Sequence, residues 1–283
     1  MDVSTPSKIG ALRELLLGLL REHESDSTIP TNARFLFYEL VQRGQLSKEQ
    51  KPRTDGKKGR RPDQDLHDAL MDIREDGRIP WTWIADETRA LEDYSGYATI
   101  KQGVLNTLPY VKLDPWRGRS PMHLTESRSL AGVLRHIVNE YRARIASTNG
   151  QVGGFLRTDI APALKPGDRV IYLGDLDLAG NQIEENTRRV LEQEIDGPLA
   201  WERLALTEEQ VAAYDLPVII KHDRRYKDGR PHEAVETEAI SQRILIDILR
   251  ARLDELLPEP LTRVLERERR QRARIEKLLR GAP

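Results

Sequence analysis

The 283-residue chain contains no cysteine. That single absence excludes a disulfide scaffold, a thiolate zinc site, an iron–sulfur cluster and a cysteine nucleophile. Long apolar runs are missing too. Leu15 to Leu20 is the longest, it contains Gly18, and it is far too short to span a bilayer. No basic segment leads into an apolar stretch with a small-residue cleavage site, so no secretory signal is expected. The six histidines show no HExxH spacing, and no GxxxxGK[ST] phosphate loop occurs. Internal repeats and long low-complexity segments are also lacking. The expectation is a soluble cytoplasmic protein without a membrane partner, nucleoid-associated if the source is prokaryotic.

Charge is plentiful and nearly balanced, with 45 Lys+Arg against 46 Asp+Glu. It is unevenly placed. Lys48 to Arg61 carries seven bases against two acids, and Lys57, Lys58, Arg60 and Arg61 are its densest part. Thr262 to Arg280 carries eight bases against Glu266, Glu268 and Glu276. Two basic runs around an acidic centre point to a polyanion such as nucleic acid, since neutralised phosphates release condensed counterions. A solvated loop and a solvated helix face are the plain alternative.

Hydrophobic periodicity divides the chain into two expected domains, 1–115 and 116–283. Thr5-Pro6 reads as a cap before a helix bearing Ile9, Leu12, Leu16, Leu19 and Leu20. A second helix is predicted from Thr31 to Gly44 and a third over Leu66, Leu70 and Ile73. Arg78 to Ala85 (RIPWTWIA) alternates as a short strand or wing would. Three helices and a wing predict a winged helix-turn-helix module. Beyond a turn-rich stretch at Lys112 to Ser120, strands alternate with helices. Strands are predicted at Met122–Leu124, Ala143–Ser147 and Arg169–Leu173, with two more near Trp201–Ala205 and Val218–Ile220 extending the sheet. The implied fold is α/β, with a Rossmann-like parallel sheet and a basic C-terminal helix.

The densest chemistry lies in Val170 to Gly180 (VIYLGDLDLAG). An apolar strand runs into Asp175 and Asp177, where ligands of parallel sheets bind. Two such carboxylates repel unless a cation neutralises them, and magnesium takes hard oxygen ligands of this kind. A plain strand-end turn would use Asp175 only to cap a backbone amide. Glu126 also follows a predicted strand, so one sheet can gather Glu126, Asp175 and Asp177; helix N-terminal charge is its alternative role.

A glutamate after one strand and a DxD after a later one resembles the toprim domain. HLTESRSLAGVL, STNGQVGGFLRTDIAPAL and RVIYLGDLDLAGNQIEENTRRVLE together resemble the toprim half of the DNA-cleaving subunit of topoisomerase VI and its meiotic double-strand-break relatives. Arg34 to Tyr38 (RFLFY) is similar to the RxxYY or RxxFY segment of that family's winged-helix domain. The resemblance implies that Tyr38 attacks a DNA phosphate to form a 5′-phosphotyrosyl link, with Arg34 clamping the phosphate. It further implies Mg2+ on Glu126, Asp175 and Asp177, double-stranded DNA as partner, and a homodimer in which one protomer's tyrosine meets the other's metal. A separate ATPase protein would be a further partner, since no ATPase domain is encoded here. Leu178 replaces the usual proline after DxD, and Ser127 replaces the lysine after the glutamate.

Read from the residues alone, Tyr38 and Phe35 could equally be core aromatics. A toprim-type DNA hydrolase that activates water and a silent DNA-binding protein are the competing functions. Trp81 and Trp83 read as anchors of a small core or as base-stacking groups, and Asp86 to Arg89 as a helix start or a phosphate contact. Lys221, Arg224 and Arg225 are candidates to meet DNA or solvent. Glu236 and Glu238 read as helix-start charge or as auxiliary metal ligands.

Overall fold

The computed structural model describes residues 8–48, 61–85, 93–148, 153–221 and 230–281. Thr5-Pro6, most of the basic loop including Lys57, Lys58 and Arg60, Asp86 to Arg89, and Arg224 and Arg225 lie outside the described residues.

Helices α1 (Lys8–Ser25), α2 (Ala33–Gln42) and α3 (Pro62–Glu75) come first. Asn32 caps α2 by accepting the amides of Arg34 and Phe35 at 2.9 and 3.0 Å, the usual role of a short polar side chain at that position. Leu16, Leu20, Leu36, Leu40, Leu66 and Ile73 close one apolar core between the three helices. The wing expectation fails. Trp81–Trp83 is a single 3-10 turn, closed by the Trp83 amide on the Pro80 carbonyl at 3.1 Å. Among the described residues only an isolated bridge, Thr31 to Ile84, gives this segment sheet character. Trp81 stays half exposed under the Arg74 guanidinium, 4.2 Å from its ring centroid, while Trp83 packs against the helical core.

Helix α4 (Ile100–Thr107) leads to the sheet region, built from β1 (Met122–Thr125), α5 (Arg128–Glu140), β2 (Arg144–Ser147), α6 (Gly153–Phe155, continuing as an irregular turn to Ala163), β3 (Arg169–Leu173), α7 (Leu178–Glu194) and β4 (Ala200–Ala205). All four strands are parallel in the order β2-β1-β3-β4. Val170, Ile171, Tyr172 and Leu173 are buried, as a strand covered on both faces requires. Helix α8 (Glu208–Ala213) follows. The strand expected to extend this sheet does not join it. β5 (Ile219–Lys221) pairs antiparallel with β6 (His232–Ala234) in a separate ribbon, which buries Ala234 opposite Ile219 and leaves Ile220 60% exposed. Helices α9 (Gln242–Leu256) and α10 (Leu261–Gly281) complete the chain. No helix among the described residues is long and apolar enough to cross a membrane.

One packing detail sets up the site. Helix α2 is apolar on two sides: Leu36 and Leu40 enter the helical core, while Phe35 and Tyr38 enter the core shared by α5, α9 and one face of the sheet. Arg34 is thereby carried to the ends of the strands.

Candidate active site

Thr125 of β1 pairs with Leu173 of β3 in parallel register, so Glu126 and Gly174 leave the sheet side by side. The Glu126 amide donates to the Leu173 carbonyl at 3.0 Å, and Glu126 Oε2 accepts the Asp175 amide at 3.1 Å. Gly180 permits this closeness. A methyl there would stand 2.3 Å from the Asp175 carbonyl oxygen and 3.2 Å from Glu126 Oε2, so only glycine lets the first turn of α7 pack over the acidic loop.

The two aspartates of the DxD motif have different surroundings. Asp175 Oδ1 accepts the Thr237 amide at 2.8 Å and its hydroxyl at 3.0 Å. Asp177 caps α7 through the Gly180 amide at 2.7 Å, and its other oxygen receives the Lys221 ammonium at 2.7 Å. Burial pushes Asp175 above the ordinary carboxylate range despite the Thr237 amide. It would raise Asp177 too, but the Gly180 amide and Lys221 outweigh it and hold that group low. Glu126 is pushed up to about 7, by burial first and by the neighbouring Asp175 charge second.

A strap crosses this loop. Leu176 and Val235 exchange backbone hydrogen bonds at 2.9 and 3.1 Å, which brings the turn Thr237–Ala239 against α2. Glu236 accepts the Tyr38 hydroxyl at 2.5 Å and pairs with Arg34 at 2.7 Å. Glu238, only 2% exposed, accepts the Ser127 hydroxyl at 3.2 Å and lies 3.7 Å from Arg34. The helix-start role expected for these glutamates is therefore incomplete, because their carboxylates face Arg34, Tyr38 and Ser127. A cavity of about 210 Å³ remains between Arg34, Glu126, Ser127, Asp175, Thr237 and Glu238.

Tyr38 is 5% exposed and belongs to the core. Burial, and then the hydrogen bond to Glu236, push its phenol far above the ordinary tyrosine value. Arg34 remains charged, because Glu238 and Glu236 outweigh its burial. Lys48 Nζ lies 4.3 Å from the Tyr38 ring centroid. Arg61 stands apart from this cluster's partners, exposed at the start of α3 and 3.3 Å from Asp63.

Arg203 of β4 belongs to no motif, yet it shapes the site. Its guanidinium donates to the carbonyls of Leu206 at 2.7 Å, Gly174 at 3.2 Å and Asp175 at 3.3 Å, while Glu184 accepts from Nε at 2.6 Å. It fixes the backbone of the acidic loop from behind. No sequence signal marks such a residue, although its neighbour strand is legible. Thr237 carried no signal either, whereas Glu236 and Glu238 stood out as a closely spaced pair of glutamates.

Among the described residues no trio of His, Asp or Glu side chains is spaced to hold a metal ion. The donors nonetheless suit a hard cation. Glu126 and Asp175 present buried, mutually repelling carboxylates to one cavity, and one or two carboxylates completed by water or phosphate are the usual protein share of a magnesium site. Asp177, engaged by Lys221 and the α7 amides, does not line that cavity. Family models, curated proteins and solved structures give no match to this chain.

Proposed function

We propose that the chain is a metal-dependent DNA hydrolase with a toprim-like catalytic region and a three-helix N-terminal module. The observation that carries this reading is the contrast between Glu126 and Tyr38. The carboxylate opens onto a polar cavity, and the phenol is buried and donates its proton to Glu236. A nucleophilic tyrosine needs a lowered pKa or an adjacent base aimed at its proton while its oxygen faces the phosphate. Glu236 stands as a base on the Tyr38 proton, but the phenol is 5% exposed and does not line the cavity that would take the phosphate.

In this reading Arg34, oriented by Glu236 and Glu238, binds the scissile phosphate from the opposite wall of the cavity. Glu126 Oε2 is fixed by the Asp175 amide. Its Oε1 then faces the attacking water and takes its proton as general base. Water adds to phosphorus, a phosphodiester P–O bond breaks, and the proton passes to the leaving oxygen. A magnesium ion held by Glu126 and Asp175 would supply charge stabilisation at the phosphate. Lys221 keeps Asp177 on its cap and adds positive charge beside the site.

The transesterase reading keeps one supporting observation, the Tyr38 hydroxyl beside the Arg34–Glu236 pair; its metal would come from the other protomer. A homodimer and a separate ATPase partner belong to that reading. The deciding experiment incubates supercoiled plasmid with magnesium and the parent, Asp175→Asn or Tyr38→Phe protein. Cutting that disappears in Asp175→Asn and survives in Tyr38→Phe supports the hydrolase. Protein covalently attached to 5′ ends, lost in Tyr38→Phe, overturns it in favour of transesterification.

A further inference from the structure

The C-terminal helix sorts its bases by face. Leu261, Val264 and Glu268 are buried, and Glu268 turns inward to accept the Leu113 amide at 2.9 Å and to pair with Arg142 and Arg272 at 3.2 and 2.7 Å. Arg263, Arg267, Arg270, Arg274 and Lys277 all lie on the opposite, exposed face. Their spacing of i, i+4, i+7, i+11 and i+14 makes one straight row, about 21 Å long at 1.5 Å per residue. Carboxylates along it are few. Arg267 pairs with Glu259 at 2.8 Å and Arg270 reaches Glu266 at only 3.8 Å. Arg263, Arg274 and Lys277 have no carboxylate at ion-pair distance among the described residues. Glu259 also feels Arg117 and Arg263, after Arg267 itself, so the turn before β1 adds a sixth cation at the row's start.

Place in the fold gives the row a separate role. Glu268 ties α10 to Leu113 and Arg142, which precede the first residues of β1 and β2. The acidic site lies past their last residues. A four-residue strand is about 13 Å long, so the row and the cavity sit at opposite ends of the sheet.

We propose that the exposed face of α10 is a second duplex-DNA contact, binding the sugar–phosphate backbone without reading bases. It rests on duplex DNA being the substrate of the acidic site. Arginines dominate the row, and their forked donors suit phosphate oxygens. Steps of three and four residues place a cation about every 5 Å along the helix axis, which matches a dense line of phosphates better than the scattered acids of a protein surface. No aromatic side chain interrupts the row, so base stacking has no part in it. The contact tethers long DNA and leaves the chemical step to the other end of the sheet.

The test measures binding of a labelled duplex of about 40 base pairs in EDTA, across about 50 to 200 mM KCl. The parent is compared with a four-site variant, Arg263→Gln, Arg270→Gln, Arg274→Gln and Lys277→Gln. Glutamine keeps helix propensity, and circular dichroism checks the fold. Should the four-site variant unfold, the pair Arg263→Gln and Arg274→Gln carries the same test. At about 0.9 per phosphate contact, the four-site variant should lower the salt slope by about 3 to 4, the pair by about 2, and both should weaken binding at least about tenfold near 0.1 M salt. An unchanged slope overturns the proposal, as does displacement of the duplex by poly-glutamate as readily as by unlabelled DNA. Plasmid cutting with magnesium at saturating protein keeps the parent rate in the variants. If no protein cuts plasmid but the slopes differ, the hydrolase reading fails while the DNA contact stands.

Discussion

Replacing Tyr38 with phenylalanine separates the two chemistries most sharply. The change removes one oxygen and leaves the ring in the core beside Phe37, Phe35 and the α5 side chains. What is lost is the 2.5 Å hydrogen bond to Glu236. A bond from a neutral donor to a charged group contributes about 1.5–3 kcal/mol. Glu236 retains Arg34 at 2.7 Å, so its charge is not orphaned and the lower end, about 1.5 kcal/mol, is expected. Thermal or urea unfolding should report that loss. For the reaction, a hydrolase loses only the slight repositioning of Arg34, within about tenfold, which is about 1.4 kcal/mol of barrier. A transesterase loses its nucleophile and with it all cutting. The assay follows nicked and linear plasmid over time with magnesium, stopped in detergent, with and without proteinase. A folded Tyr38→Phe protein that cuts nothing, beside a parent that leaves protein on 5′ ends, would refute the argument from burial.

Three further outcomes follow from the same geometry. Gly180→Ala places a methyl 2.3 Å from the Asp175 carbonyl; the first turn of α7 must move, costing about 1–3 kcal/mol in unfolding assays and most of the plasmid cutting. Arg203→Lys leaves the Gly174, Asp175 and Leu206 carbonyls without their shared fork and should slow cutting with little change in DNA binding, because an ammonium cannot reproduce that geometry. His123, fully buried on β1, is pushed down to about 4 by burial from an ordinary 6.5. Between those values the unfolded chain binds the extra proton, so stability is full above about pH 6.5 and falls by about 3 kcal/mol as pH drops through 4. Urea titrations of parent and His123→Leu should show that part of the acid slope vanish in the variant.

The sheet was readable because its strands are short apolar runs between strong turn signals. Arg169–Leu173 ends at Gly174 and follows Pro166-Gly167, and Gly167 adopts a φ of +81°, so both ends are marked. The three N-terminal helices carry equally plain marks, such as Asn32 before α2 and Pro62 at the first position of α3. Arg78 to Ala85 misled because tryptophan and isoleucine alternate there as they would in a strand. Pro80 supplies no amide, and its carbonyl instead accepts from Trp83, closing a turn. β5 misled for another reason: three apolar-rich residues satisfy either a buried parallel strand or an edge ribbon, and only the partner strand decides between them.

The electrostatics of the site lay beyond sequence reading because they arise from separations of tens to hundreds of positions. Glu126, Asp175 and Asp177 were found by their places after strands, which is a local property. Whether each is charged depends on what crosses it later: Thr237 on Asp175, Lys221 on Asp177, and nothing cationic at hydrogen-bond distance on Glu126 among the described residues. Tyr38 shows the same dependence more severely. Its helix and its neighbour Arg34 are local, yet Glu236 stands 198 positions away and adds to burial in raising the phenol. An RxxxY segment therefore predicts a helix face, and the strap decides what that face can do. Moving Glu236 to alanine would free the hydroxyl without touching α2. If the phenol's resting state is set by that carboxylate, Glu236→Ala should lower the Tyr38 titration midpoint seen by ultraviolet difference spectra, and an unchanged midpoint would assign the shift to burial alone.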